Sequence, residues 1–122
     1  MGNPITWFEV AGRDRESLKG FYGELFDWKL EDMDEMPYTI ADPGGDAGPR
    51  GGIGADPSGG TGHVTFYVQV DKLEDSISRA EELGGSRLMG PVDIPGDARI
   101  AQVSDPEGHM VGVLEGGSAA GA

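Results

Sequence analysis

The chain contains no cysteine, only two histidines, nine lysines and arginines, and no long apolar run. Without cysteine it can form no disulfide, no thiolate nucleophile and no Cys-ligated zinc site, and its redox compartment is left open. The nine basic residues are set against 22 acidic ones, and a net charge of -13 repels phosphate backbones and anionic lipid headgroups. That balance argues against nucleic-acid and membrane partners. No apolar stretch approaches the roughly 18 residues a spanning helix needs, and Met1-Gly2-Asn3-Pro4-Ile5 has no basic stretch leading into an apolar run. The expectation is a cytoplasmic protein.

What is present is a strand with an earlier copy. In His63 to Val70, Val64, Phe66, Val68 and Val70 alternate with Thr65, Tyr67 and Gln69, so one face is apolar and the other mixed. Shifting Thr6-Trp7-Phe8-Glu9-Val10-Ala11 forward by 58 positions lays Phe8 on Phe66 and Val10 on Val68, and further on Glu24-Leu25 on Glu82-Leu83. Two similar modules follow, about 4–56 and 63–115, folding together as one domain, with 116–122 as a flexible tail. The apolar face calls for a covering helix. The mixed face, with Trp7, Glu9 and Ala11 in the first copy, is left to line a ligand cup.

After the first strand Asp14 can cap a helix, and Leu18, Phe21, Tyr22, Leu25 and Phe26 recur at helical spacing as a stripe to be packed on a sheet. Short strands are expected at Trp28 to Glu31 and Tyr38 to Ala41. Between Asp42 and Gly62 lie nine glycines; this stretch reads as a flexible linker, with only Gly51 to Ala55 having a claim to be a strand. A phosphate loop would need a strand before it, a helix after it and a Lys-Ser/Thr, none of which is there. Arg50 is the single cation of the stretch. In the second half Asp71-Lys72-Leu73-Glu74 looks like a cap and box opening a helix with Leu73, Ile77, Ala80 and Leu83 inward, and Gly84-Gly85 closes it. Strands are expected at Ser86 to Gly90 or slightly beyond, Arg99 to Ser104 and Met110 to Glu115.

The order strand, helix, three strands, then the same again, resembles the vicinal oxygen chelate superfamily: glyoxalases, extradiol dioxygenases, fosfomycin and bleomycin resistance proteins. The residues that carry the resemblance are Phe21-Tyr22-Gly23-Glu24-Leu25-Phe26-Asp27-Trp28, close to that family's FYxxxFGW signature, Tyr67-Val68-Gln69-Val70-Asp71, and Asp105-Pro106-Glu107-Gly108-His109 running into Glu115. Asp27 stands where the family usually has glycine. The resemblance covers nearly the whole chain and implies an α+β fold, two tandem βαβββ modules forming a cupped mixed sheet.

Metal-dependent members of that family hold a divalent ion with two histidines and with carboxylates at the ends of last strands. Carried over, the histidine positions fall on Trp7 and Thr65 and the last carboxylate on Glu115, with Asp56 as the candidate donor ending the first module. Trp and Thr cannot replace two imidazoles, which implies a degenerate site and no expected cofactor. His63 shares the face of Thr65 and stays a candidate ligand or base; His109 lies about 20 Å along the strand from Glu115, too far to share an ion with it.

Three readings of function compete. In the first, a binding protein or metal-independent enzyme holds a small organic molecule against Trp7 and Tyr67, and Tyr38 could join them, with Glu9, Thr65, Gln69 and Glu115 orienting it; the negative charge would suit a cationic ligand. Within it, Glu9 or Glu115 desolvated beside Trp7 could abstract a proton. In the second, a divalent metal on Glu115, His63 and either Glu9 or Asp56 serves a lyase, isomerase or dioxygenase. In the third, exposed sheet edges pair two chains, and a homodimer, swapped or unswapped, is expected.

Overall fold

A computed structural model describes residues 2–46, 48–56 and 59–117. The fold is α+β, with two helices and eight strands among the described residues. The chain divides into two compact units, one of Trp7–Val64 and the other of residues 2–6 with 65–117.

In the first unit β1 (Ile5–Gly12, of which Ile5 and Thr6 belong to the second unit) leads into α1 (Arg15–Phe26), followed by β2 (Lys29–Asp32), β3 (Tyr38–Asp42) and β4 (Arg50–Ala55). The strands lie in the order β2-β3-β4-β1, with β1 parallel to β4 and the other pairs antiparallel. Asp14 caps α1 as its position suggests, its Oδ1 accepting from the Ser17 N–H at 3.1 Å. The core is Val10, Ala41 and Ile53, with Phe8, Leu18, Tyr22, Trp28 and Leu30 against it. The stripe expected to bury five α1 residues buries none of them fully: Leu18 and Tyr22, four apart, form the whole inner arc, while Phe21 and Leu25 are each 58% exposed and Phe26 52%. Tyr22 and Trp28 stack at 5.5 Å.

The glycine-rich stretch is not merely a linker. It contains all of β4, where Gly51 and Gly52 are buried because rings lie on them. A Cβ on Gly51 would come 2.4 Å from the Phe8 ring, and one on Gly52 would come 1.9 Å from the Tyr38 hydroxyl. Glycine here makes room for an aromatic ring on each side of the strand.

The second unit repeats the plan with β5 (His63–Val70, of which His63 and Val64 belong to the first unit), α2 (Leu73–Glu82), β6 (Ser86–Ile94), β7 (Ala98–Ser104) and β8 (Met110–Gly116), in the order β5-β8-β7-β6. β5 is parallel to β8, and β8, β7 and β6 pair antiparallel. β6 runs past Gly90 to Ile94, with irregular register between Arg87 and Val92. Leu73 and Ile77 of α2 pack on Ala101, Val103 and Val113. Gly84 closes α2 at φ 101°, a conformation glycine adopts without strain.

Four expectations change in this half. Leu83, expected to point inward, is 60% exposed at the end of α2. The helix is not capped by an Asp71 box: Lys72 holds the cap position with no side-chain bond, and Glu115 Oε1 accepts the Leu73 N–H at 2.9 Å instead. The apolar face of β5 is covered only toward its C-terminal end, where Val70 meets the α2 cluster, because the ten-residue helix reaches no further. Val64 and Phe66 are therefore exposed while Thr65 and Tyr67 on the mixed face are buried. The tail foreseen at 116–122 begins with Gly116, still inside β8, and residues 118–122 lie outside the described residues. Among the described residues no helix is long and apolar enough to cross a membrane.

Candidate functional site

Alternation along β1 sends Phe8 and Val10 to the α1 side and Trp7, Glu9 and Ala11 to the other. The register places Gly52 beside Glu9 and Gly54 beside Tyr38. Because Gly52 has no side chain, the Tyr38 ring folds down across β4 toward β1. A continuous hydrogen-bonded chain results. Trp7 Nε1–H donates to the Tyr38 hydroxyl at 3.1 Å, Tyr38 O–H donates to Glu9 Oε2 at 3.1 Å, and Glu9 Oε1 lies 2.6 Å from His63 Nε2. Trp7 is buried, whereas the side chains of Glu9 and His63 keep 15% and 29% of their exposure.

A carboxylate at Glu9 accepts from a His63 Nε2–H, and a neutral imidazole bonded in that way keeps its lone pair on Nδ1. Tyr38, itself oriented by Trp7, holds the other carboxylate oxygen. The pair can therefore accept a proton at Nδ1 and stabilise the resulting imidazolium.

The second unit places Thr65, Tyr67 and Gln69 together on one face of β5, with Gly112 beside Tyr67 and Leu114 beside Gln69 on β8. Their polar groups are mostly occupied within the unit. Thr65 Oγ1 donates to the Met110 carbonyl at 2.7 Å, and the Tyr67 hydroxyl accepts from Gln102 Nε2 at 3.1 Å. The Tyr67 ring covers Gly112, where a Cβ would come within 2.4 Å of it. Gln69 Oε1 is buried with no partner.

Glu115 does not share that face. It is the register partner of Val70, one step out of phase with Tyr67 and Gln69, and so points toward α2. There its two oxygens accept from the Leu73 N–H and, at 3.3 Å, from Arg99 Nη1. His109 is 73% exposed in its side chain and pairs with Asp105 at 2.9 Å. Asp56 follows the end of β4, its N–H donating to the Gly12 carbonyl at 2.8 Å. A cleft of about 260 Å³, lined by Gly12, Arg13, Asp14, Ser17, Leu18 and Thr61, includes none of the candidate site residues.

These placements test whether the residues suit a divalent ion. The Trp7 indole has a proton to donate and no lone pair to offer, the Thr65 hydroxyl is turned to a backbone carbonyl, and Glu115 caps a helix on the opposite face. Glu9 and His63 are two donors bonded to one another, and among the described residues no three His, Cys, Asp or Glu side chains gather to hold a metal. The donor set does not fit the ion that metal-dependent members carry. Neither Tyr38's role nor the Glu9–His63 bond had a local signal in the sequence, since the partners lie 29 and 54 residues apart.

Two βαβββ units with this pattern of strands define a class, and comparison with known proteins gives its name. Residues 5–113 match the Glyoxalase/Bleomycin resistance protein/Dioxygenase superfamily, and the chain belongs to it. It is 29% identical to the anthracycline biosynthesis protein DnrV of Streptomyces peucetius over 95% of this chain and 50% of that one. It is 27% identical to CFP32 of Mycobacterium tuberculosis, whose name assigns it to the glyoxylases only provisionally, over 94% of this chain and 46% of that one. The chain thus spans about half the length of the curated relatives it matches. The crystal structure of methylmalonyl-CoA epimerase from Mycobacterium tuberculosis shares the fold, with a TM-score of 0.64 and 15% identity over 92% of this chain and 87% of that one.

Proposed function

We propose that the chain binds a small organic molecule on the face of the first unit turned away from α1, and that Glu9 and His63 act there as an acid–base pair without a metal. The observation that carries this reading is the 2.6 Å contact between Glu9 Oε1 and His63 Nε2, at the end of a chain that fixes Glu9 from its other side. His63 is the base or acid at Nδ1, Glu9 orients it and balances its charge, and Tyr38 and Trp7 are positioning residues. A family neighbour has been solved as methylmalonyl-CoA epimerase in complex with methylmalonyl-CoA, an organic ligand in the same fold.

The test is long-range proton–nitrogen NMR of His63 with isothermal titration of manganese, nickel and zinc. The neutral imidazole of the wild type shows the Nε2-protonated tautomer, Glu9→Gln loses that preference, and no metal binds stoichiometrically. A stoichiometric metal that disappears in His63→Gln would replace this reading with the Lewis-acid one.

In the same reading the protein is a cytoplasmic homodimer. Support comes from the uncovered Phe21, Leu25 and Phe26 of α1, apolar area that gains from burial against a second chain. Sedimentation velocity at micromolar concentration returns twice the chain mass if this holds and the single-chain mass if it does not.

A further inference from the structure

On the same face as the Glu9–His63 pair lies a cation that the proposed acid–base chemistry leaves unused. Arg50, the first residue of β4, is the register partner of Trp7, so its side chain leaves the strand on the side of Trp7 and Glu9. Its Nε is buried and has no hydrogen-bond partner. Arg50 is half-buried, and none of the ion pairs among the described residues includes it, although the chain carries 22 acidic side chains. Asp42 alternates onto the same face of β3 next to Ile40 and Tyr38, its Oδ1 accepting the Gly44 N–H at 2.8 Å, and among the described residues no ion pair joins it to Arg50. Lys29 and Glu31 reach that face from the edge strand β2, opposite Asp42 and Ile40. A guanidinium with a buried, unanswered N–H calls for an acceptor, because such a group otherwise bears its desolvation cost uncompensated.

We infer that Arg50 supplies the anion-binding end of the site and that the ligand is a small organic acid held by its carboxylate. This rests on the reading of Glu9 and His63 as the reacting pair and names the class of molecule they act on. Arg50 and Glu9 stand on neighbouring strands two residues apart along the chain direction, roughly 8 Å between their Cα atoms. Since β1 lies between β4 and β5, a molecule with its carboxylate at Arg50 and its reacting hydrogen at His63 reaches across β1, past Glu9. The guanidinium fork matches a planar carboxylate through two parallel bonds. The chain's charge of -13 acts in the same direction on the choice of anion, since it opposes a phosphate dianion about twice as strongly as a carboxylate monoanion. Locally the fork outweighs that diffuse field, which falls off within about a Debye length of ~8 Å in salt, so the ligand is an anion despite the acidic surface.

Benzoate and benzylamine, of equal size and opposite charge, provide the test, titrated into the full chain and followed by the amide of Arg50, the Trp7 indole N–H and the His63 ring signals. Benzoate shifts all three saturably at one per chain, and benzylamine does not. Arg50→Gln weakens benzoate about tenfold or more and Arg50→Lys by less, since a point charge keeps attraction but not the fork. Unchanged backbone spectra show that both variants are folded. Equal benzoate affinity in Arg50→Gln, preference for benzylamine, displacement by lower concentrations of inorganic phosphate, or no saturable benzoate binding would each overturn the inference. Glu9→Gln and His63→Gln separate the two proposals. Arg50-dependent benzoate binding whose shifts bypass His63 leaves the anion site standing without the acid–base pair, and benzylamine shifting His63 independently of Arg50 leaves the pair without the anion site.

Discussion

Replacing Glu115 tests whether the last strand's carboxylate serves the fold or the site. Its Oε1 accepts the N–H of Leu73, the first residue of α2, a helix whose cap position is a lysine with no side-chain bond. Deleting such a cap costs about 1 kcal/mol, and removing a carboxylate from a helix N-terminus costs about 0.5 kcal/mol more. The contact with Arg99 at 3.3 Å joins side chains 32% and 27% exposed, so it adds no more than about 0.5 kcal/mol. Glu115→Ala therefore loses about 2 kcal/mol. For 122 residues the unfolding entropy is about 0.26 kcal/mol/K, which turns that loss into a fall of about 8 °C in Tm. Glu115→Gln keeps an acceptor for Leu73 and falls about half as far. Thermal melts in chelator give the midpoints, and the proton shift of the Leu73 amide reports the cap directly. Refutation is an alanine variant melting within about 2 °C of wild type, or a glutamine variant as unstable as alanine with the Leu73 amide unmoved. Either result would return Glu115 to the list of candidate ligands.

Asp27 ends α1 in the left-handed region at φ 59° and ψ 33°, where a side chain is strained; Asp27→Gly should raise stability by about 0.5 kcal/mol, read as a higher urea midpoint at unchanged slope. A lower midpoint would mean that the aspartate side chain contributes more than its backbone costs. Asp105 organises the turn before β8. The backbone N–H of His109 holds its carboxyl below the ordinary 3.8, with the His109 ring and the Glu107 N–H adding to the effect against desolvation. A lowered folded-state value stabilises above the unfolded one, and the gain is lost as pH falls through the folded value. The stability gap between wild type and Asp105→Asn should hold from neutral pH down to about 4 and close below it; a gap that persists to pH 2 would refute the assignment.

The parts of this molecule written locally in the chain were legible, and the parts set by register were not. Asp14 announces its helix because its acceptor and the Ser17 N–H are three residues apart, and Gly84 ends the other because a left-handed residue past the last turn favours glycine. Asp71 carries the same local signal as Asp14, yet the helix takes its cap from Glu115, 42 residues beyond Leu73. Which face Glu115 occupies depends on the alignment of β8 with β5, and a shift of one residue would have put it beside Gln69, on the face of Tyr67. The glycines of β4 were legible as a candidate strand but not in their role. Their composition matches a linker, and only the Phe8 and Tyr38 rings lying on them give them a role. His63 looked solitary because its partner belongs to the other copy of the repeated strand.

The repeat has the same device in both halves, and the difference between its copies marks where chemistry can occur. In each, a tyrosine ring lies on a strand glycine: Tyr38 on Gly52 and Tyr67 on Gly112. In the second copy the tyrosine hydroxyl accepts from Gln102, a neutral amide, and Tyr67 is 2% exposed. The Gln102 amide does not ionise, and the ring leaves no surface for a ligand, so its contribution is to packing and register. In the first copy the hydroxyl donates to Glu9, which passes the polarity on to His63, and both remain partly open to solvent. A solvent-reachable imidazole can exchange a proton with something outside the protein; a neutral amide cannot. In the proposed reading the reactive end belongs to the copy that kept its charges, and substitutions at Tyr67 or Gln102 should cost stability where those at Tyr38 should move the His63 ring signals.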